Sequence, residues 1–304
     1  MSEMFYQGLD RRKFIKTSLG SLGALVTLGV GGRQIYAKKN DSATRWAFMA
    51  DTHIPAVEES FQDPRLQYYA PSGHLRKAIS QISTSKAQGT IICGDLARLE
   101  GKQGDYESMK KILDPLALQQ PIFLGLGNHD NRKNFYRVFP TTEGEKQNVH
   151  DKHVVVIDTS NVRLIILDSL FRTNLIPGLL GKAQRDWLFN YLKSCDQKPI
   201  ILCFHHTLDD SDNALLDVPR LYKLIGHRRQ VKALVFGHSH RYVCSQWEGI
   251  HLINLPAVGY SFNKNEPVGW VEASFTAGSG EFTYHTIDGD PNKYNKSVTL
   301  EWRR

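Results

Sequence analysis

The sequence predicts an α/β fold with mixed β structure, and three observations carry that prediction. Five short apolar runs, Trp46–Ala50, Thr90–Cys93, the run opening at Pro121, Pro199–Phe204 and Ala233–Phe236, each stop at an Asp, Asn or His. Stretches with helical spacing lie between them, as the crossovers of parallel strands require. A hairpin-like pair of strands and a C-terminal series of short strands add antiparallel pairing. Runs that are apolar at every position fit strands buried on both faces. Polar side chains gathered at the carboxyl ends of strands are where open α/β sheets place their sites.

Composition sets the frame. With 304 residues, 41% hydrophobic and 23% charged, the chain can bury a full core and falls outside the disordered class. The net charge is +7, but residues 1–37 carry five basic and two acidic residues, a net +3, which leaves +4 for the remainder. Those charges are dispersed, with neither a basic stripe nor an aromatic platform, so nucleic acid is not an expected partner. They suit a solvated surface that attracts anionic substrates.

The chain opens with an address. Asp10-Arg11-Arg12-Lys13-Phe14-Ile15-Lys16 precedes sixteen uncharged residues, Thr17 to Gly32, rich in Gly, Leu and Val. That run is shorter than the roughly 20 residues a spanning helix needs. The segment resembles a twin-arginine secretion signal, with Arg11-Arg12 as the pair and Phe14 and Lys16 at the expected positions. The expected organisation is a signal peptide over 1–37 and one domain over 38–304. The expected location is periplasmic or secreted, reached through the twin-arginine export machinery, with membrane contact only through the signal segment. An uncleaved membrane anchor is the alternative. That export route carries folded proteins, often with metal already inserted, which suits a metal-dependent enzyme. Cys93, Cys195, Cys203 and Cys244 show no CxxC spacing and read as small apolar residues rather than a disulfide framework.

From residue 45 the elements follow in order. The first strand delivers Asp51 and His53, which as positions i and i+2 of extended chain would share a face. Residues 54–72, with three prolines and two tyrosines, form a loop above the strand ends and shape a substrate mouth. A helix over His74–Lys86 leads to the strand supplying Asp95, and a second over Tyr106–Leu118 leads to Gly127-Asn128-His129-Asp130. A short helix over Lys133–Phe139 precedes a hairpin of Val154–Asp158 and Arg163–Asp168. An amphipathic helix over Lys182–Lys193 feeds the strand ending in His205-His206. A helix over Asp217–Arg229 precedes the strand ending in Gly237-His238-Ser239-His240. Strands at Tyr242–Trp247, His251–Leu255, Gly269–Phe275 and Glu281–Thr286 then form a second set of β structure behind the first. Asp288-Gly289-Asp290 echoes a calcium loop but lacks its later glycine and glutamate, and reads as a turn.

The candidate ligands are Asp51, His53, Asp95, Asn128, His205, His238 and His240. Seven donors exceed one tetrahedral zinc site and suit two divalent ions with open positions, with Asp95, alone after its glycine, as the bridge. Two adjacent ions share a water, lower its pKa towards neutrality and clamp an anionic substrate. Phosphate esters fit that charge.

At this point the chain resembles the calcineurin-like metallophosphoesterases. Asp51-x-His53, Gly94-Asp95, Gly127-Asn128-His129-Asp130, a strand-end His205 and Gly237-His238-x-His240 stand in that family's order across residues 45 to 260. The resemblance implies a four-layer α/β/β/α sandwich with two mixed β-sheets. It implies one ion on Asp51, His53, Asp95 and His240 and another on Asp95, Asn128, His205 and His238, of the Fe, Mn or Zn class. It also implies that His129 faces the substrate as the catalytic acid, with Asp130 orienting it. His206 falls to an outer-shell role, and Arg132 and His74 are further candidates to meet the substrate.

Gly94-Asp95-Leu96, Arg132, Leu167-Asp168-Ser169 and Gly181-x-x-Gln184-x-x-Trp187-Leu188 are similar to the class III cyclic-nucleotide phosphodiesterases. That branch has two prolines after its paired histidines, where this chain has Thr207-Leu208. The expected activity is thus an exported dinuclear phosphoesterase acting on phosphomonoesters or phosphodiesters, 3',5'-cyclic nucleotides included, by attack of a hydroxide bridging the ions. A non-catalytic metal-binding or scaffold protein on the same fold is the alternative.

Overall fold

Six strands form one sheet, in the order β13-β12-β11-β1-β2-β3, and seven form the other, in the order β4-β5-β6-β7-β8-β10-β9. The first holds β1 (Thr44–Met49), β2 (Thr90–Cys93), β3 (Ile122–Gly125), β11 (Val268–Phe275), β12 (Ser279–Asp288) and β13 (Val298–Glu301). The second holds β4 (Glu145–Gln147), β5 (Val154–Asp158), β6 (Arg163–Ile166), β7 (Ile200–Cys203), β8 (Val231–Phe236), β9 (Val243–Trp247) and β10 (Ile250–Asn254). The helices are α1 (Pro71–Thr84), α2 (Gln103–Ala117), α3 (Arg132–Val138), α4 (Gly181–Ser194) and α5 (Val218–Ile225). This computed structural model describes residues 43–57, 69–141, 143–263, 265–294 and 297–304. The signal-like segment 1–37 and residues 58–68 of the predicted loop lie outside the described residues. Among the described residues no helix is long and apolar enough to cross a membrane.

The four layers follow from strand alternation. In β1, Trp46 and Phe48 enter the core between the sheets, while Ala47 and Met49 face Leu75 and Ile79 of α1 and Met109 of α2. In β7, Ile201 and Cys203 face inward, and Ile200 and Leu202 face Leu188 of α4 and Leu221 of α5. Both faces of each strand are covered, which is why these segments read as unbroken apolar runs. Each Ile, Leu or Phe so withdrawn from water contributes about 1.5–3 kcal/mol, which anchors the strand ends.

Both sheets are mixed. β1, β2 and β3 pair in parallel while β11 joins β1 antiparallel. β6, β7, β8 and β10 are parallel, with antiparallel pairs at β4–β5, β5–β6 and β9–β10. The sequence predicts that the C-terminal strands form a second set behind the first, and the structure instead divides them between the two sheets. β9 and β10 extend the second sheet, and β11 and β12 extend the first, because β1 and β8 each present an unpaired edge once their parallel neighbours are in place. The edge strands β4 and β13 are too short and polar to be read from periodicity. The helix predicted to Arg229 stops at Ile225, before Gly226. All four cysteines are free, with Cys93 and Cys203 buried.

Candidate metal centre

The seven candidate ligands converge on the seam where the two sheets meet. Asp51 and His53 follow β1, Asp95 follows β2, Asn128 follows β3, His205 follows β7, and His238 and His240 follow β8. All but His238 are buried. Backbone hydrogen bonds stitch the strand-end loops together, His53 N to Asp95 O at 2.9 Å and Gly237 N to His205 O at 2.9 Å among them.

Asp51 and His53 reach the centre by a different route from strand alternation. β1 ends at Met49, and Asp51 (φ 55°) and His53 (φ 47°) stand in the left-handed region, as do Asp95 (51°), His238 (74°) and His240 (55°). Each such residue costs about 1–3 kcal/mol unless its surroundings over-determine it, and such outliers cluster at functional sites. Glycine permits the crowding. Gly94 has φ 85°, and a Cβ there would lie 2.8 Å from Cβ of His205 and 2.7 Å from Gly127 N.

Asp95 is central. Its Oδ1 accepts the His129 N–H at 2.9 Å, which leaves Oδ2 facing His205 Nε2 at 3.3 Å and His53 Nε2 at 3.7 Å. On the His53 side, His53 Nε2 and His240 Nε2 stand 3.2 Å apart, and His240 Nε2 is 3.4 Å from Asp51 Oδ1. On the His205 side, His205 Nε2 is 3.2 Å from Asn128 Oδ1 and 3.1 Å from His238 Nδ1. Three groups of side chains, Asp51 with His53 and His240, Asp95 with His205 and His238, and His53 with Asp95 and His129, bring their ligand atoms within 4.8 Å of one another.

The tautomers show what such a site is built to hold. His53 Nδ1 lies 3.2 Å from Arg98 O, His240 Nδ1 2.7 Å from Tyr260 O and His205 Nδ1 2.9 Å from Cys93 O. His238 Nε2 lies 2.9 Å from Asn213 O. A nitrogen beside a carbonyl must be the N–H donor, so the neutral rings turn unprotonated nitrogens towards the centre. Between His53 and His240, whose Nε2 atoms stand 3.2 Å apart, this sets lone pair against lone pair, which a cation between them resolves. Burial lowers His53 and His238 to about 4, so both favour the neutral, ligating form. Burial also pushes His205 down, but Asp95 and Asp51 outweigh it and lift His205 to about 9. Asp95, despite a burial penalty, is held well below the carboxylate range by His205 and His53. Buried imidazoles and carboxylates of this kind fit divalent ions of the Fe, Mn or Zn class.

Residues 44–242 match the family model described as calcineurin-like phosphoesterase. The chain is a calcineurin-like phosphoesterase. It is 28% identical over 213 residues to a probable glycerophosphodiester phosphodiesterase of Arcobacter nitrofigilis, covering 66% of this chain and 74% of that one. It is 25% identical over 256 residues to a probable cyclic nucleotide phosphodiesterase of Rhodopseudomonas palustris, covering 77% and 89% respectively. A dimetal phosphatase from Danio rerio superposes with a TM-score of 0.68 at 14% identity, over 86% of this chain and 100% of that one. The fold is thereby that of the metallophosphoesterases.

Five other predicted residues of this phosphoesterase take places of their own. His129 Nδ1 lies 2.9 Å from Leu99 O, and its Nε2 faces Asp95 Oδ2 at 4.0 Å. Asp130 does not orient His129. Its carboxylate accepts from Gly127 N at 2.8 Å, Leu96 N at 3.2 Å, Ala97 N at 3.1 Å and the Tyr106 hydroxyl at 3.1 Å, fully buried beneath the site. Burial, with the charge of Asp95 beside it, lifts its pKa to about 6. Arg132 does not face the pocket either. It forks onto Asp168 at 2.7 and 2.8 Å, while Asp168 N donates to Gln184 Oε1, so the residues shared with the cyclic-nucleotide branch form a structural clamp. His206 binds Ser169 Oγ at 2.7 Å and Ile176 O at 3.1 Å, with both ring nitrogens engaged outside the ligand set. His74 is turned from the centre, with Nδ1 donating to Gly259 O at 2.8 Å and Nε2 3.6 Å from Asp288.

A pocket of about 360 Å³ opens over the centre, lined by His53, Asp95, Asn128, His129, His238 and His240 on its floor. Its walls include Thr207, already singled out after the paired histidines, and residues that sequence reasoning missed: Ile176, Asn213, Tyr260 and Phe262. Tyr260 and Phe262 follow β10 in a loop without periodicity, and only their aromatic character in an irregular segment was visible.

Proposed function

We propose that this phosphoesterase is an exported phosphodiesterase working with two divalent ions. Asp51, His53, Asp95 and His240 would hold one ion, and Asp95, Asn128, His205 and His238 the other. The observation that carries the reading is the position of Asp95 Oδ2 between two facing pairs of nitrogens whose other ring atoms are committed to carbonyls. Ions bound there supply Lewis acidity, activating water and polarising the phosphoryl group. His129 serves as the acid. Its Nδ1–H donates to Leu99 O, which turns Nε2 over the pocket floor, and as the imidazolium it would pass the Nε2 proton to the departing oxygen. Asp130 acts through others, keeping the backbone beside Asp95 and Asn128 in register. The pocket volume suits a small diester, and the names of the similar proteins from Arcobacter and Rhodopseudomonas favour diesters as the substrate class.

Residues 1–37 are proposed as a cleaved twin-arginine signal, and 38–304 as the mature domain. The deciding experiment assays a phosphomonoester, an acyclic phosphodiester and a cyclic nucleotide before and after chelation, with metal content measured alongside. Diester hydrolysis that disappears on chelation and returns with Mn, Fe or Zn supports the reading. Hydrolysis by metal-free protein, or none of the three substrates cleaved by metal-loaded protein, overturns it.

A further inference from the structure

The pocket has one wall that phosphate chemistry does not require. Phe262 is 76% exposed, an unusual state for a phenylalanine, yet its ring is fixed on one side. It stacks on the candidate ligand His240 with centroids 4.3 Å apart at 25°, and meets Tyr260 edge-on at 5.4 Å. Tyr260 in turn packs on His53 at 4.9 Å, His240 at 4.8 Å and Tyr69 at 4.9 Å. The loop beneath is pinned to the metal-site backbone: Gly259 N donates to Asp51 O at 2.9 Å and Val258 N to Ala50 O at 3.0 Å. Gly259 O also accepts from buried His74, which gives that histidine a purpose. The aromatic wall is thus held in place relative to the ligands, with the outer face of Phe262 open to solvent.

We propose that this wall binds a planar aromatic group on the substrate, the base of a nucleoside phosphodiester, by stacking on the outer face of Phe262. The proposal rests on the phosphodiesterase reading above and names its substrate class. A ring stacked on Phe262 sits roughly 4 Å beyond it, at van der Waals contact, and Phe262 lines the same pocket as the candidate ligands. Elsewhere the pocket is lined by Thr207, Asp209, Ser211, Asn213 and Ser239, with Ile176 as the one aliphatic side chain. Hydroxyl, amide and carboxylate groups there suit ribose hydroxyls and the polar edge of a base, and do not suit an acyl chain.

The test compares metal-loaded wild type with Phe262→Ala and Phe262→Trp on two diesters of equal charge, adenosine 3',5'-cyclic phosphate and glycerophosphoglycerol. Metal content is measured in each, since Phe262 touches His240. Phe262→Ala is expected to lower the ratio of kcat/KM for the nucleotide to that for the glycerol diester by roughly 5- to 150-fold, the range one base–aromatic stack is worth, mainly through KM. Phe262→Trp is expected to restore it. Equal losses on both substrates together with lost metal would show that Phe262 only packs on His240, and an unchanged ratio would overturn the proposal as well. Calorimetry with adenosine 5'-monophosphate and with inorganic phosphate separates this from failure of the diesterase reading. If neither diester is cleaved but Phe262→Ala weakens the nucleotide alone, the stacking site stands and the reaction class falls. If the nucleotide binds wild type no tighter than phosphate does, the stacking site falls.

Discussion

Asp130→Asn is an informative perturbation, because it changes no shape and exposes what the buried carboxylate does. Asp130 Oδ2 receives Leu96 N and Gly127 N, while Oδ1 receives Ala97 N and the Tyr106 hydroxyl. An asparagine must turn its NH2 towards one of those pairs. Facing Leu96 and Gly127 it would oppose two N–H groups, so it takes the other side, where the Tyr106 hydroxyl can rotate and only the Ala97 N–H loses its acceptor. One buried unsatisfied donor costs about 1–3 kcal/mol, and the surviving bonds weaken by roughly 1 kcal/mol in losing charge assistance. Burying a neutral amide in place of a carboxylate whose pKa is lifted to about 6 recovers the upper part of that range. The expected loss is therefore about 2–3 kcal/mol, or roughly 4–12 °C in Tm at about 2–4 °C per kcal/mol for a domain of this size. Thermal and urea unfolding in the presence of chelator measure it without the contribution of metal. Because Leu96 and Gly127 neighbour Asp95 and Asn128, metal affinity should fall in the same variant. An Asp130→Asn protein within about 0.5 kcal/mol of wild type, with unchanged metal binding, would refute the account of this carboxylate, since surface-like substitutions stay in that range.

Two further outcomes are expected. His129→Ala should lower kcat by about 10²–10⁴-fold with metal content intact, whereas His240→Ala should release metal; loss of metal from His129→Ala would place it among the ligands instead. Arg11→Lys with Arg12→Lys keeps both charges, so fractionation should find the double mutant folded and active in the cytoplasm while the unaltered chain appears outside it, shortened near Ala37. Export of the double mutant, or full-length wild type in the membrane fraction, would rule the signal out.

The legible parts of the sequence were those where local pattern and tertiary position coincide. Trp46–Ala50 and Pro199–Phe204 announced buried strands because both faces of β1 and β7 are covered, and their terminal Asp and His residues stood out against that apolar background. Partners distant in sequence were not legible. Nothing near Arg132 shows that Asp168, 36 residues on, takes its guanidinium, or that Leu96 and Ala97, more than 30 residues back, take the carboxylate of Asp130. The left-handed conformation of Asp51 and His53 was hidden too, since neither is a glycine. Strands β11 and β12 were visible as strands, but which sheet they join depends on the free edge of β1 rather than on their own residues.

The central claim is that one carboxylate, Asp95, is shared by two ions at the seam of the sheets. Elemental analysis of purified wild type and Asp95→Asn by plasma mass spectrometry, after dialysis against a weak chelator, tests it most directly. The account predicts two divalent ions per wild-type chain and loss of both, with activity, in Asp95→Asn. A single ion in the wild type, or two ions retained tightly by Asp95→Asn, would contradict it.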